Sequence, residues 1–365
     1  MPSLEDAKAA VAAFPTPSYV PVAVFAGGTS GVGQAMAEAL ARQLHGRVHI
    51  ILLGRNAAAA QRILDSFPKP ASASEDGGWK HEFVQCDANS MKNVQAVCAE
   101  LKTRLKRVNF LVMSAAGPRG NSFTESDVTE EGIDDHLSMR YFSRYLYVRE
   151  LLPLVKAAEA SGQHAHVMSV LGAGFGMGFS LKDPMLHEER ARSWKFLQGL
   201  TPKFAAVKGM VRGVGYNDGL IAYFAAQNPS IAFTHIMPGQ VWTAGAQTLD
   251  LGWLLAPLGW LLTLQRRIFL VIPQDDCAQY MLSALLSPDT ERGGAFFTSM
   301  HGSVVGGHVF PADYDAQRDW RDEDTRTGYL QGVRVKGYGG SDKTVTELNK
   351  WTEEVLEGVL SGSAA

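Results

Sequence analysis

A buried strand, a glycine-rich turn and the start of a helix follow one another within residues 21–37. The apolar run 22–26 is typical of a buried strand. Gly27, Gly31 and Gly33 then let the backbone turn tightly and approach a bound group closely. The next helix directs the positive end of its dipole at that group, which favours a pyrophosphate. The pattern indicates a dinucleotide-binding site, and the alternative is a tight turn between strand and helix without a ligand.

Five further strand candidates follow, separated by helical patterns. They lie at residues 49–53, 82–86, 110–113, 165–168 and 231–236. This alternation predicts an α/β fold with a Rossmann-like, doubly wound parallel sheet and helices on both faces. Ligands of such sheets bind beyond the carboxyl ends of the strands. Residues suited to that edge follow the candidate strands: Gly54-Arg55, Asp87, Ser114-Ala115-Ala116-Gly117, Ser169 and Pro238-Gly239.

The 365 residues, 46% of them hydrophobic, favour a single domain with insertions over two ordinary domains. We predict an N-terminal extension at 1–20, the sheet domain at 21–300 and a C-terminal extension at 301–365. Within the domain, 173–203 is predicted to be a substrate-loop insertion and 244–273 an apolar lid or interface segment. The most apolar part of the latter, 251–264, is shorter than the roughly 20 residues that span a bilayer. We therefore expect a substrate lid, a dimer face or a peripheral membrane contact there.

Charge and cysteine content exclude several function classes. The formal net charge of −3 comes from interspersed charges without a basic run, so nucleic acid is not expected as a partner. Cys86, Cys98 and Cys277 lack paired spacing and lie in apolar segments, which favours buried thiols in a reducing compartment over disulfides or metal ligands. The N-terminal residues show no signal-peptide pattern. We expect a cytoplasmic protein that binds no metal and has no transmembrane segment.

Several motifs resemble the short-chain dehydrogenase/reductase family over about residues 22–297. The family's TGxxxGxG motif appears as residues 26–33, with Ala26 in place of the threonine. Its NNAG motif is matched loosely by residues 114–117, and its Pro-Gly pair by Pro238-Gly239. Four strings are similar to a group of fungal members with a divergent active site: 141–144, 151–154, 216–218 and 234–239. The resemblance implies an oxidoreductase of fungal secondary metabolism, as a homodimer or homotetramer.

The resemblance also implies a nicotinamide dinucleotide, with Asp87 at the adenine and Thr243 near the nicotinamide or the diphosphate. A member that prefers NAD would carry an acidic residue after the second strand, where this chain has Arg55. Arg55 can pair with a 2′-phosphate, with Ser30 as a helper, so NADP(H) is favoured over NAD(H). The alternative for Arg55 is a solvated surface cation. The predicted cofactor contacts are Gly27, Thr29, Ser30, Gly31, Val32, Gly33, Arg55, Asn56, Asp87, Ala115, Ala116, Gly117, Lys208, Pro238, Gly239, Val241 and Thr243.

The family's catalytic serine, tyrosine and lysine are only partly present. Ser169 matches the serine because Gly172 completes the family's Ser-x-x-Gly pattern, while an ordinary strand-end serine is the alternative. The YxxxK motif aligns with residues 204–208, which keeps Lys208 for the cofactor ribose and puts Phe204 at the tyrosine position. Residues four apart share a helix face, so Phe204 is expected to face the substrate. Phe204 has no proton to give, which leaves the general acid unassigned.

Another group would have to supply that proton. Tyr216 is excluded, because it lies eight residues from Lys208 on the same predicted helix, an axial rise of about 12 Å. The family's asparagine should fall near Met139 or Arg140, where the chain has none. Arg140 is then either a surface cation or the occupant of that relay position. The remaining candidate donors are Tyr141, Tyr145, His187 and Lys208.

Glycines and aromatic residues after Gly172 predict a mobile cover over an apolar ligand, and the alternative is a disordered insertion that caps the core. The predicted substrate contacts are Tyr141, Tyr145, Phe175, Met177 and Trp194. Two functions stay open. One is an NADP(H)-dependent oxidoreductase that acts on a carbonyl or alcohol of an apolar small molecule, with Ser169 polarising the oxygen. The other is a redox-inactive protein of this fold that catalyses a cyclisation, elimination or isomerisation, or that binds nucleotide as a regulator.

Overall fold

The central sheet has eight strands, seven of them parallel. The computed structural model describes residues 2–69, 79–116, 127–173, 181–188, 201–241, 271–308 and 342–362. Its strands are β1 Val22–Ala26, β2 His49–Gly54, β3 Glu82–Gln85, β4 Phe110–Met113, β5 His166–Val170, β6 Ala232–Ile236, β7 Gln240–Val241, β8 Val271–Ile272, β9 Gly294–Thr298 and β10 Val304–His308. The main sheet has the order β10-β9-β6-β5-β4-β1-β2-β3, with β10 alone antiparallel. This confirms the predicted Rossmann-like parallel sheet.

Helices cover both faces of this sheet. They are α1 Leu4–Ala12, α2 Gly31–Gln43, α3 Ala57–Ser66, α4 Met91–Arg104, α5 Ser143–Ala160, α6 Thr201–Gln227, α7 Gln274–Leu285 and α8 Asp342–Ser361. A helical turn at Asp135–Leu137 and a π-helical turn at Ser138–Phe142 lead directly into α5, and a 3-10 turn at Pro288–Arg292 precedes β9. One buried cluster holds Leu146, Leu220 and Leu356 from α5, α6 and α8. The cluster on the other face holds Met36 and Met281 from α2 and α7.

The strand order reverses beside β1, and this reversal fixes where a ligand can bind. β1 pairs in parallel with β2 on one side and with β4 on the other, and Ala23 lies between Ile50 and Phe110. The chain thus leaves β1 toward β2 and later returns to β4 on the opposite side. In open α/β sheets, ligands bind in the crevice beyond the carboxyl ends of the strands at such a point. The glycine turn after β1 lies at this crevice.

The chain outside the predicted domain 21–300 is packed into the same structure. β10 extends the sheet past residue 300, because its residues pair with β9. At the N-terminus, α1 buries Ala7 and Val11 in the cluster that includes α7. At the C-terminus, α8 buries Leu348 and Leu356 in the opposite cluster. The described parts of the two predicted extensions thus pack against the sheet domain.

A second, two-stranded parallel sheet joins β7 to β8, with Gln240 opposite Val271 and Val241 opposite Ile272. These strands border residues 242–270. The apolar segment 251–264 lies outside the described residues, as do the substrate-loop candidates Phe175, Met177 and Trp194.

Candidate functional site

The turn between β1 and α2 is shaped for close approach of the backbone to other groups. Gly27 and Gly31 have φ angles of +98° and +59°, which residues with side chains rarely adopt. A Cβ atom on Gly33 would lie 2.2 Å from Ser114 Oγ and 2.5 Å from the Gly27 carbonyl oxygen. A Cβ atom on Gly27 would lie 2.5 Å from the Ala115 backbone nitrogen. The turn after β1 therefore packs directly against the loop after β4, and a larger residue does not fit at either glycine.

The first turn of α2 offers its amide groups at this turn. Ser30 is the N-cap residue, and within the described part of the chain its side chain makes no capping hydrogen bond. The first N–H groups of a helix have no partner inside the helix, and the helix dipole favours negative charge there. Uncapped amides beside a close-packed glycine turn suit a diphosphate. The residues present thus fit the phosphate-bearing cofactor that the sequence predicts.

The predicted adenosine contacts lie beyond β2 and β3. Arg55 directly follows β2 and its side chain is exposed. Asn56 caps α3, since its side-chain oxygen accepts the Ala59 N–H at 2.9 Å. Asp87 is half-buried, and its carboxylate accepts the Asn89 N–H at 3.0 Å. The sheet order places these residues on one side of the glycine turn and Ser169, at the end of β5, on the other.

The other predicted cofactor contacts are placed as follows. Thr29 packs against Gly54, where a Cβ atom would lie 2.5 Å from Thr29 Oγ1. Gly239 has a φ of +74° beyond β6. Half-buried positions on this edge are held by Val32, Ala115, Ala116, Pro238 and Val241. Gly117 and Thr243 lie outside the described residues.

Ser169 lies at the centre of a buried hydrogen-bond network. Arg144 of α5 donates from Nη1 to Ser169 Oγ at 2.5 Å, and Ser169 Oγ donates to Asn217 Oδ1 of α6 at 2.8 Å. The Asn217 amide donates in turn to the carbonyl oxygens of Arg140 at 2.5 Å and Gly213 at 2.6 Å. Ser169, Arg144 and Asn217 are all buried. Sequence reasoning identified Ser169 but neither of its partners.

Two buried arginines occupy the region where the family's asparagine was expected. Arg140 is buried and contacts His136 Nδ1 at 2.7 Å, so the prediction that it could be a surface cation is wrong. The side chain that reaches Ser169 is Arg144, one turn later, while Arg140 joins the network through its backbone carbonyl oxygen, and the expected relay position at Met139 or Arg140 stays a prediction. A π-helical turn changes which residues of a helix share a face, and one lies directly before Arg144. Burial lowers the pKa of Arg140 to about 10 and that of Arg144 to about 9. The positive charge of Arg140 lowers the pKa of Arg144 further.

A buried histidine–aspartate hydrogen bond, which sequence reasoning missed, lies beside this network. His235 of β6 is in register with Ser169 of β5, and His235 Nδ1 lies 2.6 Å from Asp218 Oδ1 of α6. Both side chains are fully buried, and their other polar atoms, His235 Nε2 and Asp218 Oδ2, have no partner among the described residues. Burial raises the pKa of Asp218, and the adjacent His235 partly offsets that rise. Asn217 and Asp218, which are neighbours in the chain, thus bond to Ser169 and to His235 respectively.

Tyr141 and Tyr145 do not face this network. Tyr141 Oη lies 2.7 Å from Thr352 Oγ1, and Tyr145 Oη donates to Glu353 Oε1 at 2.7 Å and also contacts the Asn349 side chain; all three partners are on α8. Burial raises the pKa of both phenols. Because α8 covers this side of α5, both tyrosines belong to the helix interface, and we correct their assignment as substrate contacts and proton donors.

The remaining catalytic candidates lie on α6 and on the segment before it. Tyr216 is buried and donates to the Pro184 carbonyl at 3.3 Å, in keeping with its exclusion. Lys208 and His187 are exposed. Phe204 belongs to α6, which extends without a break from Thr201 to Gln227, but its side chain lies outside the described part. Among the described residues, no group of His, Cys, Asp and Glu could hold a metal ion.

The fold and the glycine turn suit a dinucleotide-binding α/β protein, and known proteins of this kind resemble the chain. The model of the short chain dehydrogenase family matches residues 21–180. Oxidoreductase andH of Emericella variicolor is 28% identical over 93% of this chain and 94% of its own length. Short-chain dehydrogenase/reductase SAT2 of Stachybotrys chartarum is 35% identical over 49% of this chain and 51% of its own.

A solved short chain dehydrogenase/reductase family protein superposes with a TM-score of 0.50 at 20% identity, over 78% of this chain and 97% of that one, which is a likeness of fold. These comparisons support a protein of the short-chain dehydrogenase/reductase family, with fungal oxidoreductases among its relatives. Helices long and apolar enough to cross a membrane do not occur in the described ranges.

Proposed function

We propose that the protein is an NADP(H)-dependent oxidoreductase acting on a carbonyl or alcohol group of an apolar small molecule. The observation that carries the proposal is the order of groups along one sheet edge: Arg55, the glycine turn, then Ser169. Arg55 and Asp87 would hold the adenosine half of the cofactor, and the glycine turn with the α2 amides would hold its diphosphate. When bound, the nicotinamide would supply or accept a hydride.

Arg55 supports the preference for NADP(H). It follows β2, it is exposed, and no acidic residue adjoins it at this strand end to bind ribose hydroxyls. A guanidinium can make paired, charge-assisted hydrogen bonds with a 2′-phosphate, each worth roughly 1.5–3 kcal/mol. That range corresponds to about 10-fold to 100-fold in affinity.

A titration followed by NADPH fluorescence tests this preference. Arg55→Ala should weaken NADPH binding by about 10-fold to 100-fold and leave NADH binding unchanged. Arg62→Ala, which removes an exposed cation from α3, is the matched control and should change neither. Equal loss of NADPH and NADH affinity in the Arg55 variant would contradict the assignment of Arg55 to the 2′-phosphate.

A second function is favoured by the groups around Ser169. Phe204 at the usual tyrosine position has no proton, and the one Ser169 hydroxyl proton is engaged by Asn217. A protein that binds the cofactor without consuming it would then catalyse a cyclisation, elimination or isomerisation, or act as a regulator. General acid catalysis is typically worth 10²–10⁴ in rate, so its loss slows a reduction but need not abolish it.

Absorbance at 340 nm with a panel of apolar ketones separates the two functions. Steady NADPH consumption by the wild type that Ser169→Ala abolishes supports the oxidoreductase. NADPH binding without consumption, followed by turnover in Phe204→Tyr, supports the redox-inactive alternative. Absence of binding to both NADPH and NADH by folded protein, measured by calorimetry, would contradict both.

Three further features belong to the proposal. An apolar substrate from fungal secondary metabolism is favoured by the fungal relatives and by the apolar segment 251–264. The buried, free thiols of Cys86, Cys98 and Cys277 suit a reducing, cytoplasmic compartment. A homodimer or homotetramer is implied by the family resemblance, and light scattering of the purified protein would measure it.

A further inference from the structure

Arg144 is a buried cation whose hydrogen-bond partners are all uncharged. Nη1 donates to Ser169 Oγ, while Nη2 donates to the carbonyl oxygens of Ala115 at 2.9 Å and Val170 at 3.0 Å. Its Nε is buried without a partner, and no carboxylate lies within salt-bridge distance of it in the described part of the chain. Burying a charge without an opposite charge is costly. The cost of burying this charge beside the candidate catalytic serine indicates that the Arg144 cation has a function at Ser169.

The network fixes the direction of each hydrogen bond at Ser169. An arginine can only donate, so Ser169 Oγ accepts from Arg144 and its single proton points to Asn217. Asn217 cannot turn its amide, because both of its N–H bonds are used by the carbonyls of Arg140 and Gly213. A Cβ atom on Gly213 would lie 3.1 Å from Arg140 Cβ, so the glycine lets α6 approach closely enough for these bonds.

Arg144 also joins the two halves of the site. Ala115 follows β4 and its backbone nitrogen lies where a Cβ atom on Gly27 would clash, so this loop forms the wall of the glycine turn. Val170 and Ser169 end β5. One guanidinium therefore holds the loop beside the diphosphate position and the serine beside the substrate position at a fixed separation.

We propose that Arg144 is a positioning residue that acts through Ser169 and makes the serine hydroxyl a stronger hydrogen-bond donor to the substrate oxygen. This inference rests on the proposed oxidoreductase function. A hydroxyl that accepts a bond from a cation is polarised and donates more strongly. When a substrate carbonyl oxygen replaces Asn217 as the acceptor, the Ser169 proton turns to it while Arg144 keeps the serine in place.

During a reduction, negative charge develops on the substrate oxygen, next to Ser169 and Arg144. The carbonyl carbon would gain a hydride that NADPH supplies on its oxidation to NADP⁺, and the electron pair of the broken C=O π bond would move onto the oxygen. Ser169 would donate its hydrogen bond to this negative oxygen, and the Arg144 cation would stabilise it until a water molecule delivers the proton that completes the alcohol, with the hydroxide left behind taking up a proton from solvent. The cation thus reduces the need for the tyrosine that Phe204 replaces.

The test compares two arginines of α5 in the whole chain. Arg144→Met should lower kcat for ketone reduction at saturating NADPH by at least about 30-fold. Arg144→Lys, which keeps the charge but not the forked geometry, should fall between Arg144→Met and the wild type. Arg149→Met is the matched control: it removes a cation of the same helix that pairs with Glu150 and Glu353 instead of Ser169, and kcat should stay within about threefold.

Chemical rescue separates the proposed role of Arg144 from a purely structural role. Millimolar guanidinium should restore part of the kcat of Arg144→Ala and have no such effect on the wild type or on Ser169→Ala. Equal kcat in Arg144→Met and Arg149→Met, both folded by circular dichroism, would overturn the inference while leaving the oxidoreductase intact. If Arg144→Met does not fold, Arg144→Lys decides: wild-type kcat with wild-type KM would overturn the inference. A wild type that binds no NADPH or reduces no ketone would instead refute the proposed function, and this inference with it.

Discussion

His166 should make the fold sensitive to acid. Its ring is buried at the start of β5, with Nδ1 2.9 Å from the Leu285 carbonyl oxygen and Nε2 2.7 Å from Thr234 Oγ1. A neutral ring satisfies both contacts, since Nδ1–H donates to the carbonyl and Nε2 accepts from the hydroxyl. A second ring proton would reverse the latter bond, with Nε2–H donating to the Thr234 hydroxyl oxygen, and would bury a charge. Burial accordingly lowers the pKa of His166 from 6.5 to about 4.

The sign and size of the effect follow from linkage between protonation and folding. A histidine whose folded pKa is lowered contributes its full stability above pH 6.5, and that stability is lost as the pH falls toward 4. With 1.36 kcal/mol per pKa unit, His166 should account for about 2 kcal/mol of destabilisation by pH 5 and roughly 3 kcal/mol by pH 4.

Urea unfolding at several pH values between 7.5 and 4 measures this contribution. The amide of His166→Gln can still donate to one partner and accept from the other without taking up a proton. The variant should therefore lose less stability on acidification than the wild type by the stated amounts. His187→Gln removes an exposed histidine and is the control. Parallel loss of stability in wild type and His166→Gln would refute the reasoning.

Three other changes test the site and the core. Gly33→Ala brings a Cβ atom within 2.5 Å of the Gly27 carbonyl oxygen, so NADPH affinity measured by fluorescence should fall at least about 10-fold; an unchanged affinity would place the cofactor elsewhere. Burial raises the pKa of Cys86 to about 11 and of Cys277 to about 12. A disulfide reagent at pH 8 should therefore label native protein at least about 100-fold more slowly than urea-unfolded protein. Equal labelling rates would contradict this prediction. Tyr145→Phe should speed hydrogen exchange in α8 and lower stability by about 1–2 kcal/mol, and unchanged exchange would show that its bonds do not hold that helix.

Local sequence signals located most of the sheet and the turn that would bind the cofactor. The apolar runs and the glycines of residues 26–33 act through neighbouring residues, so the sequence identifies them directly. β10 was not predicted, because Val304-Val305-Gly306-Gly307-His308 carries two glycines, which weaken a strand pattern. It becomes a strand by pairing with β9, a tertiary contact.

The hydrogen-bond network around Ser169 could not be predicted from the sequence alone. Arg144, Ser169 and Asn217 come from three separate elements, and a π-helical turn before α5 decides which arginine reaches the serine. The regular helical spacing used for sequence counting does not anticipate such a turn. Tyr141 and Tyr145 were misplaced because α8, far along the chain, packs against their face of α5.

The short β7–β8 pair has a consequence for how this protein could diversify. Hydrogen-bonded parallel strands lie about 4.8 Å apart, so the residues that border segment 242–270 on either side are held close together. Whatever lies between can lengthen, shorten or change its side chains over evolution while the sheet edge and the serine keep their positions. Selection for a new small molecule would then act first on residues 242–270.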